Sequence, residues 1–196
     1  MIGESGSGKT VLAQALVNWL PPALRATGGQ ILYRGRDVLS MPRAEARRLR
    51  GSQIANVGGN PAGALDPTMT VGDQLVEKLR AVEPGVSKAE ARERAVSLLG
   101  AVRIPSPESR FHEYPFQYSG GMMQRAMIVD ALIANPAFLV ADNITQPLDV
   151  TVGAQILKPM RELTERFDTA ILFVSSSLPT VADVADDILV LDKGRT

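Results

Sequence analysis

The chain has 196 residues, of which 45% are hydrophobic, enough for one domain with a packed core. Its 21 lysine and arginine residues balance 21 aspartate and glutamate residues, so the overall charge predicts neither nucleic acid nor an anionic membrane surface as a partner. The sequence has no cysteine, which excludes disulfides and thiol chemistry, and no apolar run approaches the roughly 20 residues that span a bilayer. These features predict a cytoplasmic protein that reaches a membrane only through a partner.

Apolar spacing and turn residues predict the secondary structure. In chain order we expect a helix over 8–20, a hairpin over 30–39, a strand over 52–59, helices over about 71–82, 88–100 and 119–134, a strand over 138–142, a helix from about 152, a strand over 170–176, a short helix near 179–185 and a strand over 187–192. Ser87 has capping-box spacing with Glu90. Pro159 predicts a kink or an early helix end, because an interior proline costs about 3 kcal/mol.

Strands alternate with helices in the last third of the chain, which predicts a parallel α/β sheet. The stretch 70–135 is nearly all helical and indicates an inserted helical subdomain. We therefore expect a single domain over 1–196, with a core of about 1–69 and 136–196.

The segment "GESGSGKT" matches the Walker A motif of P-loop nucleotide-binding proteins. Its glycines let successive backbone N–H groups turn toward phosphate oxygens, and the motif leads into a helix N-terminus, which favours anions. Lys9 is expected to reach the β and γ phosphates, and Thr10 to place its hydroxyl on Mg²⁺. The predicted phosphate-binding residues are Gly3, Ser5, Gly6, Ser7, Gly8, Lys9 and Thr10.

A second motif, "YSGGMMQR" at 118–125, follows Walker A after the helical stretch and precedes Asp142. This order resembles the nucleotide-binding domain of ATP-binding cassette (ABC) transporters, a P-loop NTPase (RecA-like) α/β fold. Ser119, Gly120, Gly121 and Gln124 match the signature motif of that family, while Tyr118 replaces its usual leucine. The resemblance implies that this motif contacts ATP held by a second nucleotide-binding subunit.

The segments "ALDPTMTVGDQL" and "PLDVTVGAQIL" resemble the oligopeptide, dipeptide and nickel importers in particular. This resemblance implies ATP and Mg²⁺ as cofactors, and integral membrane permease subunits as partners. It also implies a peripheral position at the cytoplasmic face of the inner membrane. Strands carrying an adenine-stacking aromatic residue precede Walker A in the family. Since this sequence starts two residues before the motif, we expect those strands to be missing and nucleotide affinity to be low.

Three positions depart from the family pattern. After the Walker B segment "FLVAD", in which Asp142 is expected to hold Mg²⁺ through water, the usual glutamate is Asn143. The position of the usual glutamine, aligned on Pro61, is Gly59, although a one-residue slip would place Asn60 there. Ser176 stands where the family has a histidine. An amide cannot act as a general base, whose loss costs on the order of 10²–10⁴ in rate.

Several interpretations follow from these departures. The chain is a degenerate subunit that binds ATP but hydrolyses little, an active ATPase whose residues are misassigned, a truncated fragment without function, or a soluble ABC protein without a transporter. Asp149 remains at the D-loop position of the family, at the expected dimer interface, and His112 is predicted to be a surface residue.

Overall fold

The computed structural model describes residues 1–60, 63–145 and 150–196. Pro61 and Asp149 lie outside them. The elements in chain order are α1 (Lys9–Leu16), β1 (Leu32–Tyr33), β2 (Arg36–Asp37), α2 (Arg43–Ser52), β3 (Ile54–Gly58), α3 (Val71–Val82), α4 (Lys88–Ala101), α5 (Pro107–Phe111), a 3₁₀ turn (Pro115–Gln117), α6 (Gly120–Leu132), β4 (Phe138–Asp142), α7 (Val150–Phe167), β5 (Ala170–Val174) and α8 (Leu178–Ala182).

A parallel sheet in the order β3-β4-β5 forms the centre of the fold, as the alternation of strands and helices predicted. Gly58, Asp142 and Val174 are register partners, so the three strands end at one edge of the sheet. Ile2 extends the sheet through single parallel bridges to Ser175 and Val190. The last predicted strand, 187–192, is thus reduced to isolated bridges. The predicted hairpin is present as the antiparallel pair β1-β2.

Helix α1 begins close to the predicted position and ends four residues before the predicted one. Asn18 adopts a left-handed conformation with φ 51°. The Asn18 N–H donates to the Ala15 carbonyl at 2.9 Å and the Trp19 N–H to the Gln14 carbonyl at 2.8 Å. This pair of bonds is a Schellman motif, and asparagine follows glycine as the residue that tolerates its left-handed position. The left-handed Asn18 therefore terminates the helix after Leu16, before the prolines at 21 and 22 are reached.

Helix α7 runs through Pro159 to Phe167, so the predicted early end is wrong. Ile156, Met160 and Leu163 lie on both sides of the proline and are at most 3% exposed. Their burial stabilises the helix against the loss of the backbone hydrogen bond that proline cannot make.

Helices α3 to α6 fill the stretch that the sequence predicts as helical. Helix α3 has the predicted bounds, and the capping box is present: the Glu90 N–H donates to Ser87 Oγ at 3.2 Å, and the Ser87 N–H donates to the Glu90 carboxylate at 2.9 Å. Side chains of these helices and of the sheet share one apolar cluster. The division into a core and a helical subdomain stays a prediction.

Helices α2 and α5 were not predicted. Helix α2 contains four arginines and only one buried residue, Ala46, so it offers few apolar residues from which a helical period could be recognised. Among the described residues, no helix combines the length and the apolar character needed to cross a membrane.

Candidate functional site

The loop between Ile2 and α1 has the backbone that a phosphate-binding loop requires. Gly6 and Gly8 adopt φ values of 81° and 100°, a region that side chains with a Cβ disfavour. Ser7 is buried at the centre of the loop, whereas Ser5 and Thr10 are exposed. Thr10 is the second residue of α1, so its hydroxyl lies at the start of that helix.

The Lys9 ammonium group lies inside the loop, and the residue is only 6% exposed. Its Nζ donates to the carbonyl oxygens of Gly3 at 2.8 Å and Glu4 at 2.7 Å, and lies 3.4 Å from Ser7 Oγ. These contacts match the three donors of an ammonium group. The loop therefore holds a positive charge at its centre without a neutralising carboxylate hydrogen-bonded to it among the described residues.

A distant segment, residues 189–194, supports the loop. Ile2 donates to the Leu189 carbonyl and accepts from the Leu191 N–H, both at 2.8 Å, and the Gly194 N–H donates to the Ser7 carbonyl at 2.9 Å. The Gly3 backbone packs against the Leu191 carbonyl so closely that a Cβ at this position would overlap it. The sequence contains no motif that pointed to this support.

A pocket of about 260 Å³ opens at this loop. It is lined by Ser5, Gly6, Gly8, Lys9, Thr10, Val11, Asn143 and Ser176. The structure thus brings together most of the predicted phosphate-binding residues and two of the three positions that depart from the family. Ser176 is exposed and follows β5, so it reaches the pocket from the carboxyl edge of the sheet.

Asp142 and Asn143 lie at the end of β4. Asn143 adopts a left-handed conformation with φ 53°, and its N–H donates to the Val174 carbonyl at 2.9 Å. Its side-chain amide donates to the Asp142 carboxylate at 2.9 Å. Asparagine tolerates this backbone better than most residues with a Cβ. Asn143 therefore lines the pocket while its side-chain amide is hydrogen-bonded to the Asp142 carboxylate.

Gly59 packs directly on the backbone of Asn143. A Cβ at position 59 would overlap the Asn143 carbonyl oxygen and lie 3.2 Å from its carbonyl carbon. Asn60, the alternative at this position, is exposed. Neither residue lines the pocket. The backbone at 59–60 approaches the site only through its contact with Asn143.

The signature segment lies outside this pocket, at the start of α6. Ser119 caps the helix by accepting the Met122 N–H at 3.3 Å, and Ser119 and Gly120 are exposed while Gly121 is half-buried. Tyr118 is buried, and its hydroxyl donates to the Arg110 carbonyl at 2.9 Å. Burial and, to a smaller extent, the nearby Glu113 carboxylate together raise the pKa of Tyr118 to about 12.

Gln124 occupies a different environment from the rest of its motif. The side chain is fully buried, and its amide nitrogen donates to the Gly58 carbonyl at 3.2 Å, while Oε1 has no hydrogen-bond partner in the part of the chain that the structure describes. It joins α6 to the end of β3 and does not face a ligand space. Its position in the second turn of α6, below the exposed cap, is the signal that could have indicated burial.

His112 is exposed, as predicted.

The pocket residues fit a magnesium-bound phosphate ester. A buried ammonium group and a glycine loop suit the phosphates, and the Thr10 hydroxyl suits Mg²⁺, which keeps most of its water ligands and needs few protein oxygens. The Asp142 carboxylate does not line the pocket but is hydrogen-bonded to the pocket residue Asn143, at a position that suits contact with Mg²⁺ through water. No group of three or more His, Cys, Asp or Glu side chains among the described residues could form a metal cage. The donor set thus favours a metal that arrives with a phosphate ligand.

Residues 1–146 match a family model described as ABC transporter. The chain is 43% identical over 196 residues to the oligopeptide transport ATP-binding protein OppD of Bacillus subtilis and 44% identical to that of Salmonella typhimurium. It is 41% identical to the dipeptide transport ATP-binding protein DppD of Bacillus subtilis. In each case all of this chain is covered, but only 54%, 58% and 58% of the relative. The chain therefore spans little more than half the length of these relatives.

A solved structure described as the dimeric post-hydrolysis state of the ATP-binding cassette MJ0796, bound to ADP and Pi, superposes with a TM-score of 0.84. The identity is 25%, and the alignment covers 98% of this chain and 80% of that one. A second dimeric structure of MJ0796, a bacterial ABC transporter cassette, gives a TM-score of 0.83.

Proposed function

Because this chain belongs to the ABC transporter family and has its P-loop NTPase fold, we propose that it is an ATP-binding subunit of a peptide-type importer, with little hydrolytic activity of its own. The observation that carries this proposal is the pocket in which Lys9 and the glycine loop meet an asparagine, Asn143, instead of a carboxylate. The names of the curated relatives support oligopeptides or dipeptides as cargo.

Nucleotide binding rests on the chain's own groups. Phosphate oxygens would replace the carbonyl partners of the Lys9 ammonium group, and the N–H groups of the loop would donate to them. Magnesium, when bound with ATP, neutralises phosphate charge and orients the γ-phosphate. Thr10 and Asp142 would hold it, and the Asn143 amide keeps the Asp142 carboxylate in place.

Weak hydrolysis follows from the groups that face the γ-phosphate position. Asn143 can orient a water molecule but has no basic atom to accept its proton. Ser176 donates a neutral hydrogen bond and carries no positive charge. Gly59 has no side chain, and the Asn143 carbonyl occupies the space where its Cβ would be. The departures at Asn143 and Ser176 thus remove a base and a charge from the pocket, and the departure at Gly59 removes a water-positioning side chain from the backbone that packs on Asn143.

The start of α6 would serve a neighbouring subunit. Ser119 and Gly120 are exposed at a helix N-terminus and do not line the chain's own pocket. A helix start favours anions, so it can close over the γ-phosphate of ATP held by a second nucleotide-binding subunit. MJ0796 is described as a dimer, which supports such pairing. Membrane permease subunits complete the proposed complex at the cytoplasmic face of the membrane.

Titration of a fluorescent ATP analogue with Mg²⁺ tests the binding step. The Lys9→Ala variant should lose most of its affinity, because the buried ammonium group is the positive charge of the pocket. Lys88→Ala removes an exposed lysine on α4 and should bind like the wild type. Equal affinity of Lys9→Ala and wild type would refute the phosphate-binding role of the loop.

A further inference from the structure

The neutral overall charge conceals a strongly basic segment. Residues 19–50 contain seven arginines, Arg25, Arg34, Arg36, Arg43, Arg47, Arg48 and Arg50, but only two acidic residues, Asp37 and Glu45. Seven minus two leaves a net charge of +5, and the rest of the chain carries −5 to give the total of zero. The same segment holds Trp19, the single tryptophan of the chain, which is 66% exposed.

Trp19 and four of these arginines line a cavity of about 810 Å³ between the end of α1 and the face of α2. Arg25, Arg43 and Arg47 are exposed and line it together with Trp19 and Leu24, while buried Ala46 contributes to its apolar surface. The cavity therefore combines several cations with aromatic and aliphatic surface. It shares no lining residue with the pocket at Lys9.

The three exposed arginines of the cavity have no acidic partner within residues 1–60, 63–145 and 150–196. Glu45 pairs with Arg36, and Asp37 accepts the N–H groups of Ile31 and Leu39 at 3.0 and 3.1 Å. No salt bridge of Arg25, Arg43 or Arg47 is found among the described residues. Guanidinium groups bind carboxylates in a bidentate manner, so three of them here are available to anionic groups of a ligand.

We propose that this cavity binds a carboxylate-rich peptide segment of a partner protein, anchored by apolar side chains. Arg43 and Arg47 lie one turn apart on α2, about 6 Å between their Cβ atoms, and Arg25 lies on a separate loop. Cations spread in this way match several spaced anionic groups better than one phosphate. The concave shape disfavours a flat lipid surface, and arginine beside tryptophan is the composition of protein-binding hot spots.

Trp19 provides the measurement, since its fluorescence reports on the cavity alone. A synthetic peptide of glutamate and leucine is titrated against the full chain at low salt, and should shift the Trp19 emission in a saturable manner. The affinity should fall with added salt, because charge pairs at an open site are screened. Lys9→Ala should leave the peptide affinity unchanged, since the two pockets are separate.

Two double variants that each remove two positive charges distinguish binding in the cavity from non-specific electrostatic attraction to the basic segment. Arg43→Ala/Arg47→Ala should weaken peptide binding about tenfold or more. Arg34→Ala/Arg48→Ala removes two arginines that do not line the cavity. This variant should change the peptide affinity by less than about threefold, because exposed charges outside the site contribute little to the binding free energy. Circular dichroism of both variants verifies that they are folded.

The remaining outcomes overturn the proposal. Equal loss in the two double variants would indicate non-specific attraction. Tighter binding of orthophosphate, of anionic phospholipid vesicles or of a single-stranded oligonucleotide would assign the cavity to another class of ligand. An unchanged Trp19 spectrum with the acidic peptide, or an equal change with a peptide of lysine and leucine, would exclude an acidic segment as the partner.

Discussion

Replacement of Gly59 by alanine should reveal how tightly the backbone at position 59 packs against the end of β4. The added Cβ would overlap the Asn143 carbonyl oxygen, and that oxygen belongs to backbone held by the 2.9 Å bond from the Asn143 N–H to Val174. The added Cβ and the carbonyl oxygen could separate only if the backbone at position 59 or at Asn143 moved, and that movement would disrupt the site. Overpacking of this kind costs about 1–3 kcal/mol of unfolding free energy.

Gly58→Ala is the matched control, because a Cβ at position 58 meets nothing within 4 Å. Urea unfolding of wild type, Gly59→Ala and Gly58→Ala measures the difference as a shift of the midpoint at constant slope. We expect Gly58→Ala to remain within about 0.5 kcal/mol of wild type. A Gly59→Ala variant as stable as Gly58→Ala would refute the close approach and, with it, the structural reason why position 59 carries no side chain.

Further predictions concern catalysis, pairing and pH. Asn143→Glu alone should not reach the common turnover range of about 1–10³ s⁻¹ in a phosphate-release assay, because Gly59 and Ser176 stay unchanged and glutamate fits the left-handed backbone poorly. In a reconstituted pair with a subunit that has the usual glutamate, Ser119→Arg should abolish the ATPase activity and Asn143→Ala should barely alter it; the opposite pattern would contradict the proposed pairing. Because the unfolded state releases the Tyr118 proton first, the unfolding free energy should fall between about pH 10 and pH 12, by at most about 1.4 kcal/mol per pH unit. Tyr118→Phe should show a smaller fall, and an identical pH dependence of the two proteins would exclude the buried phenol as its source.

The sequence predicted those parts of the fold that depend on local patterns. The capping box at Ser87 and the apolar period of α3 are local, and both elements are present as expected. The family and the fold class also followed from the order of short motifs. Lys9, Asn143 and Ser176 lie at the carboxyl edge of a parallel sheet, and a sequence that predicts such a sheet also predicts that residues at this edge are close together. To that extent the pocket was predictable.

The remaining features depend on contacts that a local pattern does not contain. Helix α2 is present although only one of its residues is buried. Helix α7 continues through Pro159 because apolar residues on both sides of the proline are buried. Gln124 belongs to an exposed motif but points into the interior toward Gly58. The packing of Gly59 on Asn143 joins residues 84 positions apart, and no spacing rule would have found it.

The support of the Walker A loop by residues 189–194 has a consequence for biosynthesis. The backbone partners of the loop, Leu189, Leu191 and Gly194, follow it in the chain by 187 to 189 positions. At about 5–20 residues per second, roughly 10–40 s of translation separate the two. A nascent chain therefore carries its nucleotide motif long before that motif has its final shape. Ribosome-bound chains that lack this segment should fail to retain nucleotide, so binding competence is acquired only after residues 189–194 have been made.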